Sequence, residues 1–159
     1  MLTKVLLADD HGLVREGLRR LLETREGLRV VGEAANGQEA VALAREYKPD
    51  VVFMDISMPV LDGIEATRRI CRQVRSPRVI MLSMYASNDY VQQALDAGAY
   101  GYVLKSSVGA DVIVAIQEVL AGHRFFSPKI AKSMAADAAI AGIPSLGGVP
   151  ELPLPVGAI

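Results

Sequence analysis

Residues 51–70, VVFMDISMPVLDGIEATRRI, contain a strand, a turn and a helix in one reading. Residues 51–54 are short and continuously apolar, the pattern of a strand covered on both faces. Asp62 supplies an acceptor before a first helical turn, and Glu65 returns a carboxylate three residues later. Between them Asp55 closes the strand, and Pro59 with Gly63 constrains the loop. The same alternation recurs outward in both directions. Residues 5–8, 28–31, 79–82 and 101–104 are apolar runs of the same kind, separated by stretches of helical period. Val14, Leu18, Leu21 and Leu22 form one stripe, and Val91, Ala94 and Leu95 another. Asn36 with Glu39 caps a further helix, and a fifth runs from about Gly109 to Ala121 with Gly122 as its stop. Five βα units around a parallel sheet are the expectation.

The 159 residues suit one domain with an appendage, and a net charge of -1 gives no electrostatic footprint for nucleic acid or an anionic membrane. A hydrophobic fraction of 51% and a mean hydropathy of +0.27 exclude disorder along the whole chain. Cys71 is the single cysteine, so no disulfide framework exists, and no signal peptide or membrane-spanning run is evident, which points to the cytoplasm. The compact unit is expected over residues 1–122, followed by a linker at 123–142. Within that linker the Ser127–Pro128 pair opens a short helix. Residues 133–159 carry two charged residues, Asp137 and Glu151, and four of the eight prolines. Residues 143–159 read as an extended or disordered tail.

In an open parallel sheet, ligands sit at the carboxyl ends of the strands. Those ends are polar here: Asp9 and Asp10 after the first, Asp55 after the third, Ser83 after the fourth, Lys105 after the fifth. Three converging carboxylates repel one another unless a cation intervenes, and an all-oxygen set suits Mg²⁺, with Mn²⁺ as a substitute. The backbone carbonyl of Ser57 is a further candidate ligand. Lys105 is foreign to a pure metal site but neutralises a phosphoryl group that joins the metal. Asp55, standing alone at its strand end, is then the candidate nucleophile, forming an acyl phosphate, and Ser83 donates to another phosphoryl oxygen.

The set Asp9–Asp10, Asp55 with Pro59 and Gly63, Ser83, Tyr102 and Lys105 resembles the receiver domain of two-component response regulators. The wording LLADDHGLVREGLRRLL, DAGAYGYVLK and AIQEVLAGHRFFSP is similar to the NarL/FixJ (LuxR-type) subfamily, over residues 3–128. The resemblance implies a flavodoxin-like, CheY-like three-layer sandwich with five helices and a five-stranded parallel sheet of order 2-1-3-4-5. It implies that Asp10 holds Mg²⁺ directly and Asp9 through water. Asp55 would accept phosphate from a sensor histidine kinase, and Ser83 and Tyr102 would switch, Tyr102 swinging from exposed to inward. A phosphorylation-dependent homodimer, and output through transcription or protein contacts, follow from the same resemblance. Such a protein is a signalling phosphoacceptor that catalyses only its own phosphorylation and dephosphorylation. Ser57 and Tyr85, each two residues beyond a site residue, are expected to tune phosphate lifetime.

Two departures stand out. Lys105 is followed by Ser106 where many receivers have proline, so a cis bond is not expected. No helix-turn-helix follows Ser127, so nucleic-acid binding does not transfer to this chain. A haloacid dehalogenase-type enzyme would place its two acids one residue apart after the first strand, unlike the adjacent Asp9 and Asp10. A flavodoxin would need a Ser/Thr/Gly-rich phosphate loop where Asp9, Asp10 and His11 stand. His11 and His123 read as solvated, Arg15, Arg19 and Arg20 as a solvated helix face, and Cys71 as a small hydrophobe on a stripe with Thr67, Ile70 and Val74.

Overall fold

A computed structural model describes residues 2–140. The tail expected at residues 143–159 lies outside the described residues. The elements in order are β1 (Thr3–Ala8), α1 (Gly12–Glu23), β2 (Leu28–Ala34), α2 (Gly37–Tyr47), β3 (Val51–Asp55), α3 (Gly63–Ile70), β4 (Arg78–Ser83), α4 (Asn88–Ala97), β5 (Gly101–Leu104), α5 (Val108–Leu120), β6 (Phe125–Phe126) and α6 (Pro128–Ile140). A single 3₁₀ turn, Lys105–Ser107, sits between β5 and α5. All strand pairs are parallel, in the order β2-β1-β3-β4-β5-β6.

Strand alternation divides the core in two. Leu6, Val52, Met54 and Met81 face α2, α3, α4 and the start of α6, where Ala40, Ile70, Ala94 and Ile130 meet them. Val5, Leu7, Phe53 and Leu82 face α1 and α5, where Leu18, Leu22, Val112 and Ile116 cover them. All five residues of β3 are buried, as expected of a strand with helices on both sides. The caps read from sequence are present: Asn36 accepts from the Glu39 N–H and Asp62 from the Glu65 N–H, at 2.8 and 2.9 Å.

β2 runs three residues beyond the apolar stretch that announced it. It pairs on one side only and exposes part of its surface, so Gly32 and Glu33 belong to it without any run of buried residues. β6 was not visible in the sequence at all, since two residues carry no period. Its pairing with Gly101 and Tyr102 of β5 adds a sixth strand to the expected five.

α3 ends at Ile70, so Cys71 is its cap and Val74 lies outside the stripe, 90% exposed. Cys71 packs against the core beside Gly98, and burial pushes its thiol up to about 11, with Arg78 pulling weakly the other way. It stays protonated at neutral pH, consistent with a hydrophobe and not a redox sensor. No helix among the described residues is long and apolar enough to cross a membrane.

Candidate functional site

Four parallel strands deliver their carboxyl ends to one end of the sheet. Asp9, next after β1, is fully buried, and Asp55, the last residue of β3, is 4% exposed. Lys105, opening the turn after β5, extends its Nζ to 2.8 Å from Asp9 Oδ2 and 3.3 Å from Asp55 Oδ2. Those two buried oxygens have that ammonium as their one polar partner among the described residues. Asp10, about one-third exposed, stands at the mouth.

Burial first, and then the charge of Asp9, push the Asp55 carboxyl up to about 6, with Lys105 and the Ser57 N–H pulling it back. Burial alone would lower Lys105, but the two carboxylates outweigh it and hold the ammonium above its ordinary range.

The loop after Asp55 is closely fitted. The Ser57 N–H reaches Asp55 Oδ1 at 3.3 Å, and the Gly63 N–H donates to the Ile56 carbonyl at 2.8 Å. A Cβ on Gly63 would lie 1.9 Å from the Asp55 carbonyl oxygen, so no side chain fits there. The Leu61 N–H closes on the Pro59 carbonyl at 2.7 Å around Val60, whose φ of +70° makes this a γ-turn on a β-branched residue. Such a conformation costs about 1–3 kcal/mol. Val60 is 74% exposed and gives up little contact on removal. Val60→Gly is therefore expected to stabilise the fold by about 1 kcal/mol, the glycine's unfolded-state entropy offsetting part of the relief. A melting temperature at or below wild type would contradict this.

At the end of β4, Ser83 Oγ accepts from the Tyr85 N–H at 2.9 Å and donates to the Tyr85 carbonyl at 3.3 Å. Tyr102 is 1% exposed, and its hydroxyl donates to the same carbonyl at 3.1 Å. The two residues expected to switch thus meet on one backbone group of the β4–α4 loop, with Tyr102 inward. The Tyr85 ring is exposed and leans on Tyr90, centroids 6.2 Å apart.

Residues 5–117 match the family described as Response regulator receiver domain. The chain belongs to that family. Response regulator GacA of Pseudomonas aeruginosa is 43% identical over 83% of this chain and 62% of the relative. The receiver chain therefore spans about three-fifths of the length of such curated relatives. A two-component response regulator of the LuxR family from Aurantimonas sp. SI85-9A1 superposes with a TM-score of 0.83 and 44% identity, over 87% of this chain and 99% of that one. CheY in the CheX–CheY–BeF3–Mg complex from Borrelia burgdorferi is 30% identical, with a TM-score of 0.69 over 74% of this chain and 88% of that one.

Asp9, Asp10 and Asp55 form the acidic cluster typical of a receiver's Mg²⁺ site, with ligand atoms of these three and His11 within 4.8 Å of one another. The two buried carboxylate oxygens, which share only the Lys105 ammonium, fit a hard cation, which prefers such oxygens and would relieve their repulsion.

The receiver pocket also contains residues whose part the sequence did not reveal. His11 is solvated as expected, 63% exposed, yet its Nδ1 stands 3.0 Å from Asp9 Oδ1 and 3.2 Å from Asp10 Oδ1. Arg15 leaves the solvated face assigned to it and donates to the Asp9 carbonyl at 2.5 Å, while its Nε and that of Arg19 hold Glu33 at 2.9 and 2.7 Å. Burial would raise Glu33, but these guanidiniums bring it below the usual carboxylate range. Nearness in sequence to the acid pair was the available signal for His11. For Arg15, on α1, there was none, because its partner Glu33 lies on a separate element, β2.

Proposed function

We propose that this receiver is the phosphorylation-controlled switch of a two-component pathway, with Asp55 as phosphoacceptor and a sensor histidine kinase as donor. The observation that carries the reading is the sharing of one buried ammonium, Lys105, between two buried carboxylates, Asp9 and Asp55. A phosphoryl group arriving at Asp55 meets that ammonium directly. In the reaction an Asp55 carboxylate oxygen bonds to phosphorus while the bond from phosphorus to the kinase imidazole nitrogen breaks, leaving the imidazole as product.

Mg²⁺, held by Asp10, Asp55 and the Ser57 carbonyl and by Asp9 through water, would neutralise the charge that develops on the phosphoryl oxygens. The BeF3 and Mg named with the Borrelia complex support a role for Mg²⁺, though not its ligands. Asp55 must be ionised to attack, and a cation beside it favours the ionised form against the burial that raises it. Lys105 orients one phosphoryl oxygen. Ser83 exchanges its bond to the Tyr85 carbonyl for another, and Tyr102, bound to the same carbonyl, registers the change. Ser57 and Tyr85 flank the approach of water and set how long the phosphate lasts.

The product is a signal and not a released metabolite, so the chain is no enzyme in the ordinary sense. Relatives named as response regulators, and one named Transcriptional regulatory protein LiaR from Bacillus subtilis, support a transcriptional output. A cytoplasmic location and phosphorylation-dependent pairing belong to the same proposal.

Incubation of the protein with acetyl phosphate and Mg²⁺ is expected to add one phosphoryl group by intact mass, labile to hydroxylamine as an acyl phosphate is and prevented by EDTA. Absence of the adduct from folded, Mg²⁺-supplied protein would sink the proposal and leave a receiver scaffold that signals without phosphate.

A further inference from the structure

We propose that Asp111 and Ser127 are positioning residues for Lys105, a reading that rests on the phosphoacceptor function proposed above. Lys105 meets its two carboxylates only if the end of β5 is held in place, and the flanking strands do not do this equally. On one side β4 pairs through Ser83 with Leu104. On the other, β6 stops at Phe126 opposite Tyr102, two residues short of the end. The Ser127 hydroxyl fills the gap.

Its Oγ accepts from the Leu104 N–H at 3.0 Å and donates to Asp111 Oδ2 at 2.7 Å. The Ser127 N–H meanwhile donates to the Tyr102 carbonyl at 3.0 Å. Ser127 is fully buried and Asp111 is 8% exposed, so these bonds form away from water and are strong. A carboxylate acceptor fixes the hydroxyl proton, and this leaves a lone pair aimed at Leu104.

Asp111 lies in the first turn of α5, on the far side of the turn Lys105–Ser107. One hydroxyl therefore ties together both ends of segment 104–111, which contains Lys105 and no proline to stiffen it. Loss of the tie loosens both ends, leaving Leu104 held from the β4 side only, and a small displacement of the Lys105 ammonium changes its distance to Asp9 and Asp55 together. Misplacements near 1 Å cost up to about a hundredfold in rate.

The same residue opens α6. The Ile130 and Ala131 N–H groups donate to the Ser127 carbonyl at 2.8 and 3.0 Å, Ile130 is fully buried, and Asn88 at the start of α4 donates to Asp137. A residue range that composition assigned to a linker thus takes part in holding the Lys105 loop.

The test compares Ser127→Ala, Asp111→Ala and Asp111→Asn, the last keeping an acceptor for the hydroxyl, in the full chain with Lys105 and with Lys105→Ala. Initial rates of adduct formation from acetyl phosphate are followed by intact mass over hours, with Mg²⁺ affinity by calorimetry and melting temperature alongside. Ser127→Ala and Asp111→Ala are expected to slow labelling roughly tenfold with Lys105 present and not to slow it further in Lys105→Ala. Asp111→Asn recovers most of the rate, and the Ser127 and Asp111 substitutions leave Mg²⁺ affinity within about twofold of the background in which they are made.

Equal proportional losses in both backgrounds, a fall in Mg²⁺ affinity parallel to the rate, or no loss in a wild-type protein that labels would overturn the positioning role. If Lys105→Ala labels too slowly to time, recovery by Asp111→Asn at unchanged Mg²⁺ affinity decides. A wild type that fails to label overturns the phosphoacceptor reading itself, and the positioning role with it.

Discussion

Asp55→Asn is expected to abolish the phosphoryl adduct and at the same time to make the protein more stable. The amide cannot attack phosphorus, so labelling by acetyl phosphate falls to background with no residue nearby to replace it: Asp9 is buried behind Lys105, and Asp10 faces the mouth. The gain in stability has a separate origin. Burial and the charge of Asp9 push the Asp55 carboxyl from 3.8 to about 6, so the folded state opposes an ionisation that the unfolded chain completes at lower pH. The penalty is absent below about pH 4, grows as pH rises through 6, and is fully present at pH 7.5. The amide removes it and gives up the Asp55–Lys105 contact, leaving a net gain of about 1–2 kcal/mol at pH 7.5 without divalent cation, shrinking toward zero at pH 4. Thermal melts at the two pH values check the sign. Equal melting temperatures at pH 7.5, or residual hydroxylamine-labile adduct on the Asp55→Asn protein, would contradict the assignment.

Gly63→Ala is expected to cost about 3 kcal/mol or more, a fall in melting temperature of roughly 10 °C, and to slow phosphorylation in whatever protein remains folded. The added Cβ falls 1.9 Å from the carbonyl oxygen of Asp55 and 3.0 Å from the Ile56 Cα, both backbone atoms that no rotamer change can clear. The loop must move, and it carries the Gly63 N–H bond to Ile56 and the attachment point of Asp55 itself. Gly17→Ala on α1 is the matched control, since nothing lies within 4 Å of its Cβ, and there the better helix former is expected to stabilise by up to about 1 kcal/mol. Similar melting temperatures for the two variants would show that the α3 entry is looser than its geometry.

The legible parts of this protein are those in which one residue type implies one environment. Residues 51–54 had to be a covered strand, and Asp62 with Glu65 had to open a helix. Acids at adjacent strand ends implied a shared positive charge, and the Lys105 ammonium between Asp9 and Asp55 is one. Tyr102 shows the limit: its presence was read, but its inward pose depends on the Tyr85 carbonyl, which belongs to a loop of no distinctive sequence. Arg15, Asp111 and Ser127 went further out of reach, because each acts through a partner on another element: Glu33 for Arg15, Ser127 for Asp111, Leu104 for Ser127. Periodicity reports which face of an element is apolar; it does not report which buried polar groups find each other.

The short sixth strand has a consequence for handling the protein. β5 is apolar and lies just inside the margin of the sheet, and β6 with Ser127 occupies its outer amides and carbonyls from Tyr100 to Leu104. Pro128 follows at once, offering no further donor. A chain cut after Gly122, where composition alone would place the end of the compact unit, would present that row of groups bare, an open template on which a second molecule can add a strand. The cover on that edge strand is thus a pair of phenylalanines and a serine, residues whose local sequence gives no hint of so defensive a task.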